Sequence, residues 1–455
     1  MPISVPRLRW RPALAVLLAA GLASGACSGA GGGGGSGEDG TAITVLMVGN
    51  PQMEDLAKVT ADNFTKDTGI TVRFTILPEN ELRDKVTQDV ATQGGQYDVA
   101  TIGAYEAPIW AKNDWLHELS SYADKDTSYD KGDLLEPMVK SLSGEDGKLY
   151  AAPFYGESSF LMYNKELFAA MNLTMPERPT WQQVAQFAAQ LDDEAAGVSG
   201  ICLRGLPGWG EVFAPLTTVV NTFGGTWFEK DWTPKVSSPE FTAATKFYVD
   251  LVRQHGEPGA PQAGFTECLN TFGQGKAAMW YDATSAAGTL EDPASSTVAG
   301  KVGYAYAPVN KTKSSGWLWA WALAMPKTTK NADAAWKFIS WATGKEYEKL
   351  VGAEMGWSRV PSGKRQSTYE IAEYKKSASA FADITLSAIE EADPTNPGLQ
   401  PRPALGVQFV GIPEFADLGT KVSQEVSAAI AGSTTVEKAL ADGQKLAEEV
   451  ATKYQ

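Results

Sequence analysis

Trp317, Trp319 and Trp321 alternate along the chain. Residues two apart on a strand point to one face, so the three indoles would share a side. Flat aromatic rings offer area to the C–H faces of sugars, and an indole N–H can donate a hydrogen bond. Trp110, Trp115, Trp209, Trp227, Trp232, Trp280 and Trp357 add to the set, although core packing must account for most of the 14 tryptophans. Trp317 and Trp319, at the start of the run, are open to ligand contact or to the core; Trp321 is assigned to the core. Glu157 is a second candidate. It follows Gly156 and stands just before the apolar run Phe160-Leu161-Met162-Tyr163. An unpaired carboxylate is costly to bury, so two roles stand open: an acceptor for neighbouring ligand hydroxyls in a cleft, or half of an ion pair with an Arg or Lys.

What the chain lacks narrows the chemistry. No G-x-S-x-G elbow, H-E-x-x-H, C-x-x-C or complete Walker A run is present. The nearest approach to a phosphate loop, Phe272-Gly273-Gln274-Gly275-Lys276, has Asn270 for the first glycine and Ala277 for the Ser or Thr. Asp124, Asp126, Ser128 and Asp130 alternate as in a calcium loop, but Tyr129 fills the glycine position and Leu135 the bidentate Glu position, which leaves a solvated acidic loop. His117 and His255 are the only histidines, little for catalysis or metal binding. A charge of −15, from 39 Lys plus Arg and 54 Asp plus Glu, has the wrong sign for nucleic acid. Paired carboxylates for glycoside hydrolysis stay open, though no pair stands out. No cofactor or metal is expected.

The elements that must position these residues are legible in outline. With 455 residues and a 43% apolar share, the chain can bury a sizeable core, as two large domains or about three of ~150 residues. Residues 43–103 read as a βαβαβ unit. Strand 43–48 leads to Asn50 as N-cap and Pro51 at the first helical position; Met53, Leu56, Ala57, Thr60 and Phe64 share a helical face, and Gly69 stops the helix. Strand 71–77, a helix with Leu82, Val86 and Val90, and strand 97–103 follow. Such alternation implies a parallel sheet, with ligands beyond the strand C-termini, near Asn50, Leu77 and residues 103–106. Residues 158–300 read as a second lobe. Strands are expected at 302–309 and 317–325, and a helix at 331–343. Two amphipathic helices close the chain, the last opening on the capping box Thr434-x-x-Glu437.

The N-terminus reads as an export signal. Arg7, Arg9 and Arg11 precede an apolar run over 13–23, too short to span a membrane, and small residues lead to Cys27. The stretch 28–40 is mostly Gly, Ser and Ala, a flexible tether. In an exported chain the remaining thiols, Cys202 and Cys268, either pair or stay as two buried free thiols. The segment Leu22-Ala23-Ser24-Gly25-Ala26-Cys27 resembles a bacterial lipoprotein signal, which implies lipidation of Cys27; Ser24 stands where such signals usually carry Leu.

From Thr41 onward the chain resembles the extracellular solute-binding proteins of ATP-binding-cassette importers, in the maltose-binding-like group. The matching runs are NFTKDTGITV (63–72), YAAPFYGESSFLMYNKELF (150–168), PTW (179–181), FGQGKAAMW (272–280) and GWLWAWALAMPKTTKNADAAWKFISW (316–341). Within that group, GICLRGLPGWGE (200–211), ECLNTFGQGKAAMWYDAT (267–284) and GIPEF (411–415) look like the sorbitol/mannitol-binding branch. The resemblance implies a two-lobed α/β periplasmic-binding-protein fold, each lobe a mostly parallel sheet flanked by helices, with a ligand cleft at the hinge. The expected layout is a signal peptide over 1–26, a tether over 27–40, a first lobe of 41–157 plus 302–344, and a second of 158–301 plus 345–455. It further implies a monomeric, non-enzymatic, lipid-anchored extracellular receptor that delivers a polyol or small sugar to membrane permease subunits. The ligand residues implied are Asn50, Met53, Tyr105, Glu157, Trp209, Trp280, Asp282, Trp317, Trp319 and Arg359. For Asp282 and Arg359 a surface or inter-lobe ion pair is the competing role. A secreted carbohydrate-active enzyme and a glycan-adhesion module are the rival functions, and an oligosaccharide is the rival ligand.

Overall fold

The computed structural model describes residues 41–455. The export signal, Cys27 and the tether therefore lie outside the described residues. Eight strands build two sheets: β1 (Ala42–Val48), β2 (Thr71–Leu77), β3 (Val99–Gly103), β4 (Ala151–Glu157), β5 (Ser159–Asn164), β6 (Met279–Ala283), β7 (Val302–Tyr306) and β8 (Trp319–Ala324). The first sheet runs β2-β1-β3-β8-β4. β1 is parallel to β2 and β3, while β8 runs antiparallel between β3 and β4. β1 and β3 are buried apolar runs, as interior strands flanked by helices must be; β2, at the edge, is exposed or half-buried throughout.

The helix Pro51–Thr60 begins as its sequence dictates. The Asn50 side chain accepts a bond from the Met53 N–H, Pro51 takes the first helical position, and the helical run ends at Gly69 in the left-handed conformation (φ 72°). Helix Glu79–Ala91 packs on the same sheet through Leu82, Val86 and Val90.

The second sheet, β6-β5-β7, corrects two expectations. It is antiparallel throughout rather than mostly parallel. And β7, expected in the first lobe, pairs with β5 of the second, Asn164 opposite Val302 and Phe160 opposite Tyr306. An apolar run carries no mark of which sheet it will join; here Gly303 leaves space that the Tyr163 ring of β5 fills. The chain returns to the first lobe only between Tyr306 and Trp319. The helix Lys345–Glu354, expected in the second lobe, packs on the first instead, its Tyr347 ring 5.7 Å from Phe154 and 5.2 Å from Trp341.

Smaller corrections follow from local chemistry. Strand β8 starts at Trp319, because the Trp317 N–H donates to Ser159 Oγ (3.2 Å) and not to a ladder partner. Thr435, not Thr434, caps the helix Val436–Ala451, accepting from the Lys438 N–H at 3.2 Å. In the acidic loop, Asp124 pairs with Lys131 and Asp130 with Lys345. Cys202 and Cys268 form a disulfide, Cα atoms 5.7 Å apart, that ties the chain beside β6 to the helix Phe265–Gly273. Among the described residues no helix is long and apolar enough to cross a membrane.

Candidate functional site

Only Ser158 separates β4, in the first sheet, from β5, in the second, so Glu157 is the last residue of the first lobe before this crossing. Beside this crossing lies a cavity of about 350 Å³ between the lobes, at the small end of the ~300–1,000 Å³ typical of small-molecule sites. In the β4–β8 ladder Tyr155 stands opposite Trp321 and Glu157 opposite Trp319. Period two puts all four side chains on one face. Gly103 of β3 makes room for Trp319: a Cβ there would fall 1.8 Å from the indole.

Glu157 is 5% exposed and takes a 2.6 Å bond from the Ser285 hydroxyl on Oε2. Burial pushes its carboxyl up to about 8, the Ser285 bond opposing only in part. The Asn50 amide donates to the Tyr155 hydroxyl at 2.9 Å while its carbonyl oxygen caps the helix, so one side chain both starts the helix and lines the cavity.

Two buried guanidiniums complete the wall. Arg83 is held by Glu79 (2.8 and 3.1 Å) and Glu106, with its Cζ 4.0 Å from the Trp209 ring centre and 4.8 Å from that of Trp321. Arg204 makes two bonds to Asp282 (2.8 and 2.6 Å), one to the Gly210 carbonyl (3.1 Å) and one to Glu211 (3.3 Å). Burial, then the neighbouring Glu79 charge, pushes Glu211 up to about 8. Glu54, Glu79, Glu157, Glu211 and Glu267 line the cavity and outnumber the two arginines. The Trp317 Nε1–H is buried without a partner. Such a wall accepts more hydrogen bonds than it donates, which suits a neutral ligand rich in hydroxyls and repels an anion.

Of the residues nominated from sequence, Asn50, Glu157, Trp317 and Trp319 line the cavity. The other six do not line it. Met53 is fully buried under the helix start. The Tyr105 hydroxyl donates to the Ile412 carbonyl (2.7 Å), and its ring packs 4.6 Å from Trp209. Trp280 donates its indole N–H to Asp282 (3.1 Å), and Asp282 is occupied with Arg204. Arg359 bridges Asp55 (2.6 and 2.8 Å) and Asp292 (3.0 Å), an inter-lobe ion pair.

Sequence reasoning missed Tyr155, Arg83, Arg204, Glu211, Ser285 and Phe409, and placed Trp321 in the core although it lines the cavity. Tyr155 could have been found, since it sits two residues before Glu157 on the same strand face. The arginines had no local signal: Arg204 and Asp282 are 78 residues apart. Among the described residues Cys202, Glu257 and Cys268 cluster at ligand spacing, but the disulfide consumes both thiols.

A family model described as "Bacterial extracellular solute-binding protein" matches residues 50–349. The chain belongs to this family. It is 42% identical over 404 residues to the mannitol-binding protein of Pseudomonas aeruginosa, covering 89% of this chain and 91% of that one. The erythritol/L-threitol-binding protein of Mycolicibacterium smegmatis is 26% identical over 68% of this chain and 67% of its own. Among solved structures, an ABC transporter solute-binding protein from Agrobacterium vitis with bound D-mannitol superposes with a TM-score of 0.88, at 49% identity over 91% of this chain and 99% of that one. A maltose-bound protein from T. maritima shares the two-lobed fold, with a TM-score of 0.77 and 21% identity over 90% of this chain and 100% of that one. This solute-binding protein is therefore a receptor of the ABC-transporter kind and not an enzyme, and the hydrolase and adhesion readings fall away.

Proposed function

We propose that this chain is a monomeric, lipid-anchored extracellular receptor for a hexitol such as mannitol or sorbitol, which it delivers to the permease subunits of an ABC importer. The observation that carries the reading is the cavity wall: buried carboxylates around Glu157, flat indoles on one strand face, and a volume too small for a long oligosaccharide. The similarity to two mannitol binders supports it. Open lobes admit the ligand, its hydroxyls bond to carboxylate, amide and phenol groups, its C–H faces pack on Trp319, and the lobes close. Higher affinity for ligand in the closed state drives the closure. Micromolar binding needs about −8 kcal/mol, within reach of a few charge-assisted bonds and aromatic burial.

Calorimetry with mannitol, sorbitol, xylitol, glucose and maltose tests the ligand class. A hexitol should bind best; preference for maltose with no alditol binding overturns the reading. Anchoring rests on Cys27, the upstream arginines and the Gly-rich tether. Cys27→Ala should move the protein from the membrane fraction to the medium, and an unchanged membrane fraction counts against lipidation.

A further inference from the structure

Glu157, Trp319 and Trp317 are 5%, 4% and 1% exposed, so a ligand reaches them only if the lobes part. The lobes meet through a contact that is built, not incidental. Residues 206–211 of the second lobe lie on the first turns of the helix Glu79–Ala91 of the first. The Asn80 amide donates to the Pro207 carbonyl at 3.0 Å. The Trp209 ring covers the Arg83 guanidinium at 4.0 Å and packs 4.6 Å from Tyr105. Two glycines permit the approach: a Cβ on Gly208 would come 2.5 Å from Asn80 Oδ1, and one on Gly210 would come 2.4 Å from Glu79 Oε1.

The same segment is pinned to its own lobe from behind. The Gly208 N–H donates to Ser423 Oγ at 2.7 Å, Arg204 donates to the Gly210 carbonyl, and Arg204 is itself clamped by Asp282. Neither Trp209 nor Asn80 lines the cavity.

We propose that residues 206–211 are a closure latch, with Trp209 and Asn80 as positioning residues that raise ligand affinity by holding the closed lobes together without touching ligand. Affinity for the closed state includes whatever free energy the lobe–lobe contact contributes, so losing the contact weakens every ligand alike. A residue that touches ligand would instead change the ranking among ligands.

The inference rests on the receptor reading, and its test separates the two. Mannitol, sorbitol and xylitol are titrated calorimetrically into wild type, Trp209→Ala and Asn80→Ala, and melting of ligand-free protein reports folding. Trp209→Ala should weaken all three ligands by one common factor of roughly tenfold, as expected for loss of a desolvated cation–π contact. Asn80→Ala, which removes a single hydrogen bond, should do so by roughly two- to tenfold and serves if Trp209→Ala fails to fold. Altered ratios among the three ligands, or unchanged affinity in both variants, overturn the latch. Wild type that binds none of the alditols overturns the receptor reading instead, and the latch, which rests on that reading, falls with it.

Discussion

The Glu157 carboxylate and the Ser285 hydroxyl meet at 2.6 Å across the junction of the two lobes. Glu157 ends the last strand of the first lobe before the crossing, and Ser285 follows the strand β6 of the second. Ser285 therefore links the lobes twice, since its carbonyl also accepts from the Gln52 amide at 2.9 Å. The Glu157–Ser285 bond uses Oε2 and leaves the other carboxylate oxygen, Oε1, available to a ligand.

At pH 9, above the value near 8 to which burial pushes Glu157, Glu157→Gln keeps the shape and one acceptor oxygen but removes the charge. Charge-assisted bonds exceed neutral ones by roughly 1–2 kcal/mol, so mannitol affinity at that pH should fall about five- to thirtyfold. Among the described residues no cation pairs directly with Glu157, so the ligand-free variant should melt no lower than wild type. Calorimetry and thermal melts check both; wild-type affinity in a folded variant removes Glu157 from the site.

Stability should depend on pH in a direction set by burial. Glu157 and Glu211 titrate near 8 in the folded chain, against an ordinary 4.5. Between those values the native state holds more protons than the unfolded one, so stability falls as pH rises through the window. Ligand-free protein should melt higher at pH 5 than at pH 8.5. Glu157→Gln should flatten part of that slope, and an equal slope in the variant would show that other groups set it.

Asp282→Asn breaks a fully buried bidentate pair and leaves Arg204 with Glu211 and the Gly210 carbonyl. Orphaning one partner of such a pair typically costs about 3–5 kcal/mol. Urea unfolding should show a loss of that order. Replacing both Arg204 and Asp282 by apolar residues should recover part of it, since the desolvation penalty goes with the charges. A loss below about 1 kcal/mol in Asp282→Asn would mean that water or the asparagine's own amide oxygen compensates the arginine.

Gly103→Ala places a methyl where the Trp319 indole lies. Overpacking of this kind costs about 1–3 kcal/mol and forces the ring out of its rotamer. Because Trp319 lines the cavity, mannitol affinity should drop along with the melting temperature. Unchanged binding in a destabilised Gly103→Ala protein would show that the indole does not contact ligand.

The helix starts and stops were legible because their causes are local. Asn50 followed by Pro51, and Gly69 at the end, operate over one or two turns, and the structure has the cap bond and the left-handed glycine in place. The alternation of Trp319 and Trp321 equally follows from strand periodicity alone, as does the shared face of Tyr155 and Glu157.

Partner choice was not legible. Whether β7 joins the first or the second sheet depends on which strand offers a free edge and on Gly303 fitting under Tyr163, and an apolar run of five residues holds neither fact. The same holds within the site. Asp282 and Trp209 have the residue types of ligand contacts, yet Asp282 is taken by an arginine 78 residues away and Trp209 by Arg83 and Tyr105 of the opposite lobe. By itself the sequence determined residue chemistry, helix ends and strand faces, because backbone dihedrals and capping act between near neighbours. Only the tertiary structure decided which charges are spent on each other and which face the cavity, because burial and ion pairing are properties of segments distant in the chain that meet once both lobes have folded.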